Sequence, residues 1–250
     1  MRINDIPTNE TVTFITSRVR PTVRILEVGA GRGEVAQRIR AAGHSVVAID
    51  SDADAVEAAR RDEIEVVHAD FLAFCADPFD VIVFTRSLHH LSPLTAVIEH
   101  ARALVRSDGT ILIEDFAFDE MKQVTADWLH NELRTLRNDG VLNMHDNEFG
   151  AEFLAAGGDL ATWKNHHAGK HRIHTAAEIT AGVERVFHIT VRSEEPYLYR
   201  YIASMLPDDR TGFRILQAVL SREKSMVERG TIQAIGRRMV AVCNNIPVSS

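Results

Sequence analysis

The chain has 250 residues, 45% of them hydrophobic and 25% charged, a balance that suits one large α/β domain or a domain carrying an insertion and excludes a disordered chain. Its 28 Lys and Arg against 35 Asp and Glu give a formal net charge of −7, a field that repels a phosphate backbone and argues against a nucleic-acid partner. The two cysteines, Cys75 and Cys243, lie far apart beside apolar stretches, which suits buried free thiols rather than a disulfide framework or a thiolate metal site. The opening MRINDIPTNE lacks the apolar core of a signal peptide, and no run reaches the ~18 apolar residues of a membrane span. The expected setting is cytoplasmic, away from any membrane.

In chain order, Val12, Ile15 and Val19 recur at helical spacing, which predicts an opening helix stopped before Pro21. A strand follows over 23–28. After a glycine run, Val35, Ile39 and Ala42 mark one face of a helix, with Gly43 placed for a left-handed C-terminal cap. SVVAID is a buried strand ending in Asp50, and Ser51 or Asp52 caps the next helix, which runs to about Arg61. IEVVHAD reads as a third strand and FDVIVF, 79–84, as a fourth, continuously apolar because helices cover both faces of a parallel sheet. Ser92 and Pro93 open a helix to Leu104, and Asp108 and Gly109 turn into the strand TILIEDF. Strict alternation implies right-handed crossovers and a doubly wound, mostly parallel sheet whose ligand crevice lies at the carboxyl ends of the strands.

Past Phe116 the rhythm changes. Met121, Val124, Trp128, Leu129, Leu133 and Leu136 form a long amphipathic helix ending near Asp139 and Gly140, with Trp128 in a core stripe. This opens an insertion of helices over 117–175 that holds NMHDNEFG, the Gly157–Gly158 break and NHHAGKHRIH. VFHITVR and GRRMVAVC then add two strands, which have little to pair with outside the first sheet. The expectation is one domain over 1–250 with a helical cap insertion at 117–175.

The stretch ILEVGAGRG poses the chemical question. A dinucleotide fingerprint needs G-x-G-x-x-G so that helix amides approach a pyrophosphate, but Glu34 stands at the third position and the glycines fall at 29, 31 and 33. A pyrophosphate would meet the like charge of Glu27 and Glu34, whereas an ammonium or sulfonium would be attracted. Asp50, at the next strand end, can accept both hydroxyls of a ribose. Asp70 can accept from an adenine amino group, with Phe71 offering an apolar wall. Each acid alone could be a helix N-cap or a solvated strand end; three at successive strand ends bordering one crevice are far more specific.

These residues resemble the class I S-adenosylmethionine-dependent methyltransferases, in particular the small-molecule group similar to the ubiquinone-biosynthesis C-methyltransferases. The likeness is carried over about 23–116 by ILEVGAGRGEVA, VVAID, HADF, FDVIVFTRSLHHL and LVRSDGTILIEDF. It implies a Rossmann-like sheet of seven strands with a C-terminal antiparallel strand, and S-adenosylmethionine as cofactor with S-adenosylhomocysteine as product. It also implies that Glu27, or the backbone of Gly29 and Gly31, holds the methionine moiety, Asp50 the ribose, and Asp70 and Phe71 the adenine. Ala30, Gly33 and Ser51 complete the cofactor set, and the segment from Thr85 through Arg86 to Ser87 faces the sulfonium. Two positions depart from the family pattern: Ser107 stands where proline is common, and Arg86 sets a cation near the ligand's positive centre.

Methyl transfer from a sulfonium needs alignment and exclusion of water more than activation, and a base helps only where the acceptor must lose a proton. Histidine suits that role. His90 and His145 are the catalytic candidates, against the alternatives that LHHL supports the loop through His89 and His90 and that His145 pairs structurally with Asp146. His166, His167, His171 and His174 suggest a substrate or anion patch or a solvated loop. No metal is expected there, because Gly169 interrupts the helix that would align His167 with His171 and Lys170 adds repulsion. Glu114 and Asp115 point to the acceptor side. The expected partner is a small-molecule acceptor methylated at O, N or C, with a homodimer left open. The alternatives are a nucleic-acid or protein methyltransferase and a non-methylating binder or cyclase. TRSLHH lacks the Asn/Asp-Pro-Pro-aromatic motif of amino-methylating enzymes, and a basic stripe with interleaved aromatics is missing.

Overall fold

The computed structural model describes residues 2–144 and 147–244. The elements run α1 (Asp5–Thr16), β1 (Arg24–Val28), α2 (Glu34–Ala41), β2 (Ser45–Asp50), α3 (Ala53–Arg61), β3 (Val67–His68), β4 (Phe79–Thr85), α4 (Leu94–Leu104) and β5 (Val105–Phe116). There follow α5 (Gln123–Asn138), α6 (Glu148–Ala155), α7 (Leu160–Lys164), α8 (Ala176–Glu184), β6 (Phe187–Glu195), α9 (Tyr199–Ala203), α10 (Arg210–Glu228) and β7 (Gly236–Cys243). One seven-stranded sheet has the order β3-β2-β1-β4-β5-β7-β6. The pairs β1/β2, β1/β4, β2/β3 and β4/β5 are parallel. The last strand lies between β5 and β6, consistent with the expected antiparallel C-terminal strand. Strand order reverses between β1 and β4, the switch point where a doubly wound sheet opens a crevice at its carboxyl ends.

Residues group into two compact units. The larger comprises Asn9–Asp115, Ala176–Ser193 and Arg237–Ser250. Its sheet is buried on both faces: Ile25, Val83 and Leu112 pack with Val35 and Ile39 of α2, while Leu26, Ile82 and Ile113 pack with Val97 and Ile98 of α4. Each such aliphatic side chain contributes about 1.5–3 kcal/mol by leaving water, which is why the continuous apolar runs become central strands.

Four expectations shift. IEVVHAD yields only the two-residue β3, because an edge strand pairs on one side alone and Val67 is left 43% exposed. Asp108 and Gly109 form no turn; β5 runs through them with a register shift, Phe79 facing Val105 and Val81 facing Thr110. A Cβ on Gly109 would sit 2.8 Å from the Asp80 carbonyl, so this close passage requires glycine. Pro93 is the residue before α4 rather than inside its first turn; of the two caps expected for α3, Asp52 serves, accepting from the Asp54 amide at 2.9 Å, which meets the expectation. Cys75 is exposed, contrary to the expected burial, whereas Cys243 is buried.

The smaller unit, Met1–Thr8 with Phe116–Thr175 and Glu194–Gly236, is helical and draws on more chain than 117–175. Leu129, Leu133, Phe153, Trp163, Leu216 and Val219 are fully buried in its core, with Trp128 half-buried against them. Gly169 does not interrupt the His-rich segment. Asn165–Lys170 widens into a π-helical turn, which carries His167 inward to bond the Trp163 carbonyl through Nδ1 at 2.8 Å and the Tyr201 hydroxyl through Nε2 at 2.7 Å.

Glu223 of α10 is wholly buried, and its carboxylate accepts from the amides of Tyr197, Leu198 and Tyr199 at 2.7–2.9 Å, satisfying the free donors at the start of α9. Burial pushes its carboxyl above the usual carboxylate range, against the pull of those amides and of Arg200. Glu223→Ala leaves buried donors unpaired and is expected to cost about 2 kcal/mol. The urea midpoint should fall at unchanged slope; an unmoved midpoint would contradict this account.

Candidate active site

Three glycines make the turn from β1 into α2, and all three are left-handed, with φ of 72°, 56° and 75° at Gly29, Gly31 and Gly33. Their spacing follows from the turn: every second residue takes a conformation that a Cβ disfavours. A Cβ on Gly29 would collide with Ser87, whose hydroxyl donates to the Val28 carbonyl at 2.6 Å, and one on Gly33 would lie 2.6 Å from Val66. Gly31 faces open space. The Gly29 and Ala30 amides donate to the Ile49 carbonyl, and the Gly31 amide to Asp50 Oδ2 at 2.6 Å. Gly29→Ala is expected to cost at least about 1–2 kcal/mol from backbone strain alone, read as a lowered melting midpoint; full stability would refute the close Ser87 contact.

Beneath this turn Glu27 is completely buried. Thr85 donates to its Oε1 at 2.9 Å, while Oε2 has no hydrogen-bond partner. Burial pushes the group up to about 7, against the opposing Thr85 hydrogen bond and the Arg86 charge. Glu34 begins α2, where a carboxylate is favoured by the helix N-terminus for structural reasons alone.

Asp50 takes one backbone donor on each oxygen, Gly31 on Oδ2 and Asp52 on Oδ1, and each oxygen retains a second lone pair. Ser51 is exposed beside it, its carbonyl 3.1 Å from His68 Nε2. Asp70 is exposed and caps a short turn through the Leu72 amide at 2.8 Å. The Phe71 ring is buried, edge-on to Phe84 and His100, so the sheet core holds it.

At the end of β4, Arg86 has a positive φ of 61°, and its amide donates to the Glu114 carbonyl at 2.6 Å. Its guanidinium reaches Thr11 Oγ1 at 3.2 Å and Glu114 Oε1 at 3.3 Å. Glu114 Oε2 is held by Arg238 through Nε and Nη2 at 3.1 and 3.0 Å. The next residue, Asp115, is also buried: Oδ1 lies 2.6 Å from His89 Nδ1 and Oδ2 accepts the His89 amide at 3.2 Å. His90 is exposed, its ring centroid 4.1 Å from that of His89. The two predicted catalytic candidates therefore fare differently from their neighbour. His145 lies outside the described residues, and the buried, carboxylate-paired histidine is His89. Sequence reading places Glu114 and Asp115 at the strand end but gives no sign of Thr11 or Arg238, which reach the site only through α1 and β7.

The strand order, the crevice at β1/β4 and the glycine turn over a buried acid together define a Rossmann-like class of ligand-binding enzyme folds. A family model described as a methyltransferase domain matches residues 8–158. The chain belongs to that methyltransferase family, a class that depends on S-adenosylmethionine. A mitochondrial ribosomal RNA small subunit methyltransferase of Arabidopsis thaliana is 28% identical over 41% of this chain and 29% of its own length. A malonyl-[acyl-carrier protein] O-methyltransferase of Erwinia pyrifoliae is 26% identical over 42% of each. The chain spans about half or less of the length of the curated relatives it matches. Among solved structures, phosphoethanolamine N-methyltransferase 2 of Haemonchus contortus in complex with S-adenosyl-L-methionine shares the fold. Its TM-score is 0.55 and its identity 10%, over 95% of this chain and 52% of that one. No helix among the described residues is long and apolar enough to cross a membrane.

Proposed function

We propose that this chain transfers the methyl group of S-adenosylmethionine to a small-molecule acceptor at O, N or C, releasing S-adenosylhomocysteine. The observation that carries the reading is Glu27, a wholly buried carboxylate with one oxygen unpartnered beneath a left-handed glycine turn. Such a group is stabilised by a cation and repelled by a diphosphate. The ammonium of the donor's methionine moiety supplies that charge. Gly29, Ala30, Gly31 and Gly33 admit the ligand to backbone donors, Asp50 with Ser51 takes the ribose hydroxyls through its remaining lone pairs, and Asp70 with Phe71 borders the adenine.

The donor supplies an already activated methyl group. This chain's own residues align the acceptor, exclude water and, where the acceptor must lose a proton, hold it at His89. A carboxylate only accepts, so Asp115 fixes the proton on His89 Nδ1 and leaves the basic lone pair on Nε2. The segment 117–175 is proposed to select the acceptor within a single-domain cytoplasmic enzyme, and the motif set is similar to the ubiquinone-biosynthesis C-methyltransferases. The Arabidopsis relative's name raises an RNA acceptor, against which the net charge of −7 weighs.

Calorimetry on the full chain tests the reading. Binding of S-adenosylmethionine and S-adenosylhomocysteine without NAD is the expected result. Binding of NAD in their place, or of none of the three to folded protein, overturns it.

A further inference from the structure

We propose that the larger unit carries a second small-molecule site, at the amino ends of β1, β4 and β5, on the side of the sheet away from the glycine turn. Its ligand is a compact organic oxyanion, a phosphate ester or a carboxylate, whose far end bears a hydrogen-bond donor. This site stands independently of the methyltransferase reading.

A cavity of about 260 Å³ opens there, between the linker from α1 to β1 and the first residues of β4 and β5, with its whole lining inside Asn9–Asp115. Ordinary small-ligand sites begin at about 300 Å³, so this one suits a compact molecule. Its floor is apolar: Val23 and Val81 are buried, and Val19 packs against the same core cluster. With Val19 pinned inward, its neighbours Arg18 and Arg20 stand on one rim. Both are exposed and line the cavity, and neither guanidinium makes a hydrogen bond or ion pair among the described residues. The linker holds this shape at a cost. Thr22, a β-branched residue, takes φ 59°, a conformation worth about 1–2 kcal/mol of strain.

The opposite wall comes from a break in the sheet. Phe79 faces Val105 but Val81 faces Thr110, so the ladder slips across Asp80 and β5 spends extra residues there. Such irregularities re-aim side chains, and this one brings Asp80, Asp108 and Thr110 to the cavity. Asp80 is already paired: Oδ2 accepts the Arg24 amide at 2.8 Å, and Arg106 Nε lies 3.3 Å from Oδ1. Asp108 is exposed and makes no ion pair among the described residues. Two uncommitted guanidinium forks suit the oxygens of a phosphate or carboxylate. Asp108 can only accept, so it selects a ligand with a donor at its other end. Val81 and Thr110 lie four residues before Thr85 and Glu114 on their strands, about 13 Å at the usual rise, which separates this cavity from the crevice.

Calorimetry on the full chain tests the site with matched probes: 4-aminophenyl phosphate and 4-aminobenzoate, against aniline, which lacks the anion. At least one of the two oxyanions is expected to bind one to one and aniline not at all, and the tighter of the two tells phosphate ester from carboxylate. Arg18→Gln combined with Arg20→Gln should weaken that binding at least tenfold; both side chains are exposed, so the variant keeps the fold. Phenyl phosphate or benzoate, without the amino donor, should bind about fivefold more weakly than its amino derivative, and Asp108→Ala should erase that difference. Saturating S-adenosylhomocysteine should leave the affinity unchanged. Failure of both oxyanions to bind, an equal response to aniline, unchanged affinity in the arginine variant, or competition with S-adenosylhomocysteine overturns the site. If S-adenosylhomocysteine itself does not bind, the methyltransferase reading falls and the probe titrations still decide the cavity.

Discussion

Glu27→Gln is expected to make the ligand-free protein more stable at pH 8 and less able to hold S-adenosylmethionine. The folded-state value near 7 lies above the ordinary 4.5, so between those pH values the native state keeps a proton that the unfolded chain has lost. Stability from this group is therefore greatest in acid and falls as pH rises from about 4.5 to 7. That gap corresponds to about 3 kcal/mol. Glutamine is close in shape, can still accept from Thr85 and carries no charge to bury. The variant should match the wild type near pH 4 and exceed it by up to about 3 kcal/mol at pH 8. Urea melts across that range check the sign; parallel curves for the two proteins would defeat the argument. The second half follows from the same charge. Losing it should weaken S-adenosylhomocysteine about 10–100-fold, the range of a charge-assisted hydrogen bond. Wild-type binding at pH 6 should also release a proton, seen as heats that differ between buffers of different ionisation enthalpy. A residue that destabilises the empty fold while anchoring the ligand is the usual trade at a binding site.

What was legible in the sequence tracks what each segment buries. SVVAID and FDVIVF are continuously apolar and become central strands paired on both sides, and GRRMVAVC becomes β7 over the same residues. IEVVHAD looks alike in one dimension, but only its place at the sheet edge decides how little of it pairs. The acid-glycine turn and Asp50 are readable because their spacing is local: Gly31 and Asp50 meet through two adjacent strands. His89 and His90 are not separable that way. They share a short turn, Leu88–His90, which puts one ring inside and the next outside. Arg86 is harder still. Its meaning depends on Glu114 across β5 and on Arg238 in β7, contacts set by strand order and register that no periodicity encodes.

His89→Gln is expected to lower kcat by about 10²–10³-fold for an acceptor that must lose a proton, the usual contribution of a positioned base. Affinity for S-adenosylhomocysteine should be unaltered, because the substitution touches neither Glu27 nor the glycine turn. Asp115→Asn should fall in the same direction through a different cause. The carboxylate fixes His89 by two contacts, 2.6 Å to Nδ1 and 3.2 Å to its amide. An amide side chain can offer Nδ1 a donor instead, turning the imidazole to the tautomer whose lone pair points away from Nε2, as an Asp-to-Asn change does in a serine-protease triad. Asp115→Asn should therefore reduce kcat with little change in KM, and Asp115→Glu should restore part of it if its carboxylate still reaches Nδ1. A purely structural pair would instead lower the melting temperature and weaken substrate binding together, with no rescue by Asp115→Glu. His90→Gln should show the smaller loss of the two histidine variants, since His90 is exposed and the paired ring is His89. The reverse order of effects would move the proton-accepting role to His90 and remove Asp115 from it.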